Sequence, residues 1–310
     1  QVAGLHRIYH HETKPMRTEN ESTKIVEAFG LGKCPKLVRN ERLDVRVNAL
    51  RVLCDEFRNP ASIAGCMKAG IMSDLPKMAL GGDRDTRIRA TKAMVAAARD
   101  YNGRTALLAV NGPKTLIKAL DDPDEVVRRH VYETLLHTSA MSPGTKALVE
   151  AGYSAKLVEK AGAEDDKLKP IALQVLNAVI NHADGLQAAL DNGAVEECIE
   201  LLDSPSVDVA REAAVTLGCV CFDEMAKIVA IQNDAVAKLA RLLESPDSKV
   251  RAATLGALMM ITTVDAGKRA MLSTHAAELT IAALDYDSSS SQRVVVLNAL
   301  KLVASVAAHP

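Results

Sequence analysis

The chain has 310 residues, 48% of them hydrophobic, with 38 Lys and Arg against 39 Asp and Glu. This balance is too apolar for a disordered chain, long enough for a substantial core, and too neutral for any global attraction to nucleic acid or anionic membrane. Only 3% of residues are aromatic and Trp is absent, which disfavours strand-rich folds and favours helices packed closely through Ala, Leu and Val.

In chain order, residues 1–24 come first, with His6, His10, His11, Pro15 and Asn20 among mixed charges and few core residues. They read as a non-repeating arm that gains order by lying on a neighbour. The chain begins at Gln1, which leaves a cleaved leader open, although no signal-peptide pattern is present. His6 and His10 stand four apart, a metal-compatible spacing on a helix, but no acidic or thiol partner accompanies them. Gly30-Leu31-Gly32-Lys33 is followed by Cys34, so it lacks the spacing and the Ser/Thr of a phosphate loop and reads as a turn between helices.

Residues 25–310 carry a repeat. Steps of 41 residues from Ala49 meet Ala90, Val131, Ala172, Ala213, Thr254 and Val295, all small or β-branched. Four residues further on stand Leu53, Met94, Leu135, Leu176, Leu217, Leu258 and Ala299. Twenty-six beyond the origin stand Leu75, Leu116, Leu157, Cys198, Leu239 and Thr280. Three before it stand Arg46, Arg87, Arg128, Lys169, Ala210, Arg251 and Gln292. No insertion is needed across seven steps. Gly70, Asn111, Gly152 and Gly193 share one row, as left-handed residues closing a helix would. Polar turns at Asp121–Asp124, Ser204–Ser206 and Ser245–Asp247 each place Asp or Ser beside Pro, which predicts helix starts. Apolar residues then recur at spacings of three and four, as in Val209, Ala213, Leu217 and Val220. A helical unit of 41 residues falls in the armadillo and HEAT range. The predicted fold is all-α: a right-handed superhelical solenoid of about seven stacked units.

The N-terminal third carries a more specific pattern: Thr23, Ala28, Gly30, then Cys34-Pro35-Lys36-Leu37, Ala49-Leu50, Leu53-Cys54-Asp55, Pro60, Gly70 and Leu75. It resembles the armadillo-repeat proteins of ciliary radial spokes, the radial spoke head protein 14 type. The Ala-Leu-x-x-Leu-Cys-Asp run after Pro-Lys-Leu carries most of the likeness. Residues 113–305 match at the level of generic armadillo rows, which other axonemal armadillo proteins share. The resemblance implies a non-catalytic scaffold subunit of the axonemal radial spoke in motile cilia and flagella, on the cytoplasmic side. Its partners would be other spoke and axonemal proteins in a large hetero-complex, with no cofactor and no small-molecule substrate. Importin-like and catenin-like armadillo proteins hold extended peptides with an Asn ladder, often flanked by Trp. The corresponding row here reads Asp55, Ala96, His137, Ala178, Cys219, Met260 and Lys301, so an import-receptor reading is poor.

Partner binding in such a solenoid uses the face of the third helix of each unit. Positions two, six and nine after the origin share one stripe. It is polar at first, with Arg51, Asp55 and Arg58, then Lys92 and Arg99, Glu133 and His137, and Gln174 and Asn181. Later it turns apolar, with Val215, Cys219 and Phe222, then Gly256, Met260 and Thr263. That later stretch is either packed by neighbouring helices or free to dock a partner. Net charge is segregated too. Residues 36–105 hold 14 basic and 8 acidic residues, and residues 191–290 hold 8 basic and 16 acidic. A basic end facing an acidic partner and an acidic end facing a basic one is the expectation.

Other chemistry finds little footing. Six Cys without paired spacing read as buried thiols in a reducing compartment. Cys219 and Cys221 diverge on a helix, and no second pair completes a zinc site. Asp121, Asp122, Asp124 and Glu125 lack the central Gly of a calcium loop and read as helix capping. No run of about 18 apolar residues could span a bilayer. Ser288–Ser291 reads as an exposed loop open to phosphorylation. The alternatives are a cytosolic armadillo adaptor holding a peptide or helix in its groove, and an enzyme or enzyme-regulatory subunit.

Overall fold

The computed structural model describes residues 33–284 and 292–307. The arm at 1–24, the His6–His10 spacing, most of the Gly30–Lys33 turn and the Ser288–Ser291 loop lie outside the described residues.

The repeating rows form the spine of the core. Every residue of the three apolar rows that start from Ala49, Leu53 and Leu75 is buried, the last of them ending at Thr280. Each such side chain is withdrawn from water by helices on both sides, a contribution of roughly 1.5–3 kcal/mol for a Leu or Val. Seven long helices carry two of these rows: α1 (Leu43–Glu56), α2 (Arg84–Ala98), α3 (Glu125–Ser139), α4 (Lys169–Ile180), α5 (Val207–Val220), α6 (Ser248–Ile261) and α7 (Arg293–Ala307). Each packs on the next in chain order, and α5 with α6 most extensively. Two shorter helices link each pair, for instance Ser142–Glu150 and Tyr153–Ala163 between α3 and α4. All regular elements among the described residues are helical.

The helix boundaries follow from local chemistry. The shared Gly row is left-handed at Gly70, Asn111, Gly152 and Gly193, with φ of 75°, 53°, 84° and 80°. Asp234 extends the row with φ 57°; Asn and Asp tolerate this region better than other residues with a side chain. One step further the row fails: His275 has φ −69°. Asp carboxylates cap several helices. Asp124 accepts from the Val126 amide at 2.8 Å and Asp247 from the Lys249 amide at 2.7 Å. Ser206 departs from the expected capping, because its side chain caps nothing and the Ser204 hydroxyl takes the Ser206 amide instead. The helix α4 starts three residues later than the register predicts, after a turn at 164–168 with no capping side chain and with Pro170 in its first turn.

The Arg row does more than mark the period. Arg46 bonds the Asn40 carbonyl of its own turn at 2.8 Å and pairs with Asp83 of the next unit at 2.7 Å. Arg87 repeats this with the Gly82 carbonyl and Asp122. Arg128 bonds the Asp122 carbonyl and grips Glu164 with Nε and Nη2, at 2.9 and 3.0 Å. Arg251 joins the Ser245 carbonyl to the neutral Gln292. Each guanidinium thus ties one inter-helix turn to the next through geometrically matched donors. A second device recurs at the following first helix. A Cβ on Gly103, Gly144, Gly185 or Gly267 would lie 1.9 to 2.2 Å from the backbone oxygen at the end of the preceding long helix. Only Gly permits that approach.

Candidate functional site

The stripe on the long helices opens into two concavities. The first, of about 690 Å³, lies over α1, α2 and α3 and gathers five of the sequence-derived residues: Arg51, Asp55, Arg58, Lys92 and Arg99. Arg89, His130 and Glu133 complete its polar wall. Arg89 was not singled out by the stripe, yet it stands three residues before Lys92 and shares its helix face. Five cationic side chains therefore meet the three carboxylates of Asp55, Asp100 and Glu133. His130 adds no charge near neutral pH: burial, and then the Lys92 ammonium, press its imidazole down to about 4. Its Nδ1 sits 3.1 Å from the Thr91 hydroxyl.

The second concavity, of about 680 Å³, lies over α4, α5 and α6 and takes in Asn181, Val215, Phe222 and Met260. Its floor is made of small residues, Gly218, Cys219, Ala253, Gly256 and Ala257. A Cβ on Gly218 would sit 3.2 Å from the Ala257 backbone, so close helix approach leaves room above the seam rather than within it. Ile180 and Leu186 form the opposite wall. Leu186 comes from the helix that follows α4, which is why a stripe confined to long helices misses it. Neighbouring helices do not cover this stretch: Phe222 is 76% exposed and Met225 beside it 64%. The apolar row continues onto α7, where Val294, Leu297 and Leu300 are exposed. Asn181, read with the polar half, belongs structurally to the apolar groove. His137 lines neither concavity; it is half-buried, and burial, then Arg99 and Arg104, lower its pKa.

The thiols are held in their protonated form. Burial pushes Cys54 up to about 11 and Cys66 and Cys221 up to about 12, and raises Cys34, Cys198 and Cys219 as well. A thiol so shifted is a poor nucleophile and metal ligand. Cys219 corrects the expectation of burial, being half-buried in the groove floor, while the other five are buried. Among the described residues no group of three or more His, Cys, Asp or Glu is placed to hold a metal ion. No described helix is long and apolar enough to cross a membrane.

No family model matches the chain. Radial spoke protein 14 of Chlamydomonas reinhardtii is 28% identical over 250 residues, covering 76% of this chain and 65% of that protein. The chain thus spans less than two thirds of that relative's length. Among solved structures, an engineered protein superposes with TM-score 0.67 at 22% identity, over 93% of this chain and 81% of its own. A designed armadillo repeat protein gives TM-score 0.66 at 20% identity, over 74% and 99%. Another, crystallised with the peptide (KR)4, gives 0.67 at 19%, again over 74% and 99%. The fold is therefore an armadillo-like helical solenoid, a protein-binding type of scaffold.

Proposed function

We propose that this chain is a non-catalytic structural subunit of the axonemal radial spoke in motile cilia and flagella, joining other spoke proteins along the face of its long helices. The observation that carries the reading is the likeness to Radial spoke protein 14 over three quarters of the chain. Two features of the site support it. The face is continuous across all seven long helices, and its large apolar residues remain open to solvent although a partner would cover them. Its thiols are held protonated by burial, and its one histidine, His130, is a neutral imidazole bonded to a buried threonine. The role is passive and mechanical: a stacked rod that holds partners at fixed spacing and passes force between them, with no cofactor taking part.

The test is fractionation of ciliated cells expressing the tagged chain. Co-sedimentation with demembranated axonemes, and cross-links to spoke proteins, are the expected result. A chain found wholly in the soluble fraction, capturing short peptides there, would instead favour a general armadillo adaptor.

A further inference from the structure

Four cations in the first groove stand out because the rest of that half is so thoroughly paired. Arg39, Arg42, Arg46, Arg84, Arg87 and Arg128 each meet a carboxylate. Arg58, Arg89, Lys92 and Arg99 form no ion pair among the described residues, yet all four line one concavity. The surrounding stretch, residues 36–105, carries 14 basic against 8 acidic residues. The adjoining groove has no charged residue in its lining and offers Phe222 and Val215 at its rim. Both grooves lie on the same helix rows, three long helices apart. At an interaxial spacing of 8–10 Å that is roughly 24–30 Å, or about seven to nine residues of extended chain.

We infer that one partner segment occupies both grooves: an acidic polypeptide stretch over α1–α3, continuing after about eight residues into large apolar side chains seated over α4–α6. Carboxylates answer the unpaired cations, and an aliphatic or aromatic side chain fills the space above the small-residue floor. A nucleic acid fits less well, because Asp55 and Glu133 stand inside the basic groove and would repel a phosphate chain. The inference takes its biological setting from the scaffold reading and adds the chemistry of the partner.

The experiment uses the purified full chain and fluorescent peptides read by anisotropy. One peptide has about four Glu, a Gly/Ser spacer of about eight residues, and a Leu-Phe pair; a second has Lys in place of each Glu. The acidic peptide should bind at least about tenfold tighter than the basic one, and lose about tenfold between low and high salt. Arg58→Glu with Lys92→Glu should remove the preference, and Phe222→Ala should weaken the acidic peptide about tenfold, with circular dichroism unchanged. Arg58→Gln with Lys92→Gln serves the same purpose should charge reversal disturb folding. Equal or tighter binding of the basic peptide would overturn the inference, as would a single-stranded oligonucleotide outcompeting the acidic peptide. Salt-sensitive self-association that the peptide does not compete would also overturn it, and would make a second copy the occupant. Axonemal co-sedimentation without peptide binding sinks only the partner chemistry. Peptide binding without co-sedimentation sinks only the spoke assignment.

Discussion

Between α1 and α3, Arg46, Arg87 and Arg128 each reach a carboxylate in the turn of the following unit. At the equivalent sites of α4 and α5 stand Lys169, whose carboxylate partner Asp166 is local, and Ala210. Further along, the units meet instead through Gly218 pressed against Ala257. The same stacking problem is solved by directional ion pairs at one end and by close apolar approach at the other. The functional face divides in the same way, basic over the first helices and apolar over the later ones. Charge used for stacking and charge left for binding are thus concentrated in one half, on different edges of the same helices.

The largest test of this contrast is Arg128→Met. Glu164 retains 2% exposure of its side chain, so removing the guanidinium strands a buried carboxylate, at a cost of about 3–5 kcal/mol in urea unfolding. Lys169→Met should cost under about 1 kcal/mol, since Asp166 is half exposed. Equal losses would break the contrast. Next, Gly144→Ala places a Cβ 1.9 Å from the Thr138 oxygen and should cost about 1–3 kcal/mol. Gly267→Ala should cost as much, because this device is common to both halves.

Acid should separate the halves further. The folded pKa of His130, about 4, lies below its ordinary 6.5, so the unfolded chain takes up the proton first. Its contribution is complete above pH 6.5 and is lost as pH falls from 6.5 through 4. Asp83 acts lower. Burial alone would raise it, but hydrogen bonds from Thr86 and Arg46 bring it to about 2, below its usual 3.8. Its contribution is present above 3.8 and fades toward 2. Hydrogen exchange should therefore show α2 and α3 loosening before α5 and α6 as pH drops. Gly256→Ala, with open space around the added Cβ, should stabilise α6 by about 0.5–1 kcal/mol. The smallest effect on stability belongs to Phe222→Ala, within about ±0.5 kcal/mol for a side chain 76% exposed.

Much of this division is readable in the sequence. The buried rows announce themselves because each period offers the same small or aliphatic residue to the same seam. The stripe from Arg51 to Met260 anticipates the change from polar to apolar. The Arg staples are harder to read, because their acceptors are out of phase. Asp83 and Asp122 are 39 residues apart rather than 41, so no acidic row appears beside the basic one. Groove walls supplied by a different helix, such as Leu186, leave no trace in a single-helix pattern. The late start of α4 is hidden for a similar reason: a steady period says nothing about which turn residues can cap.

The uninterrupted 41-residue register also makes the rod a ruler. Excising one whole unit between equivalent positions, such as residues 131–171, keeps every remaining row in phase and shortens the interval between the two grooves by one helix spacing, about 8–10 Å. A ligand reading both grooves would then need about three fewer linking residues. Distance along this surface comes in whole repeats, and a partner with the wrong interval is excluded by length even when its chemistry is right.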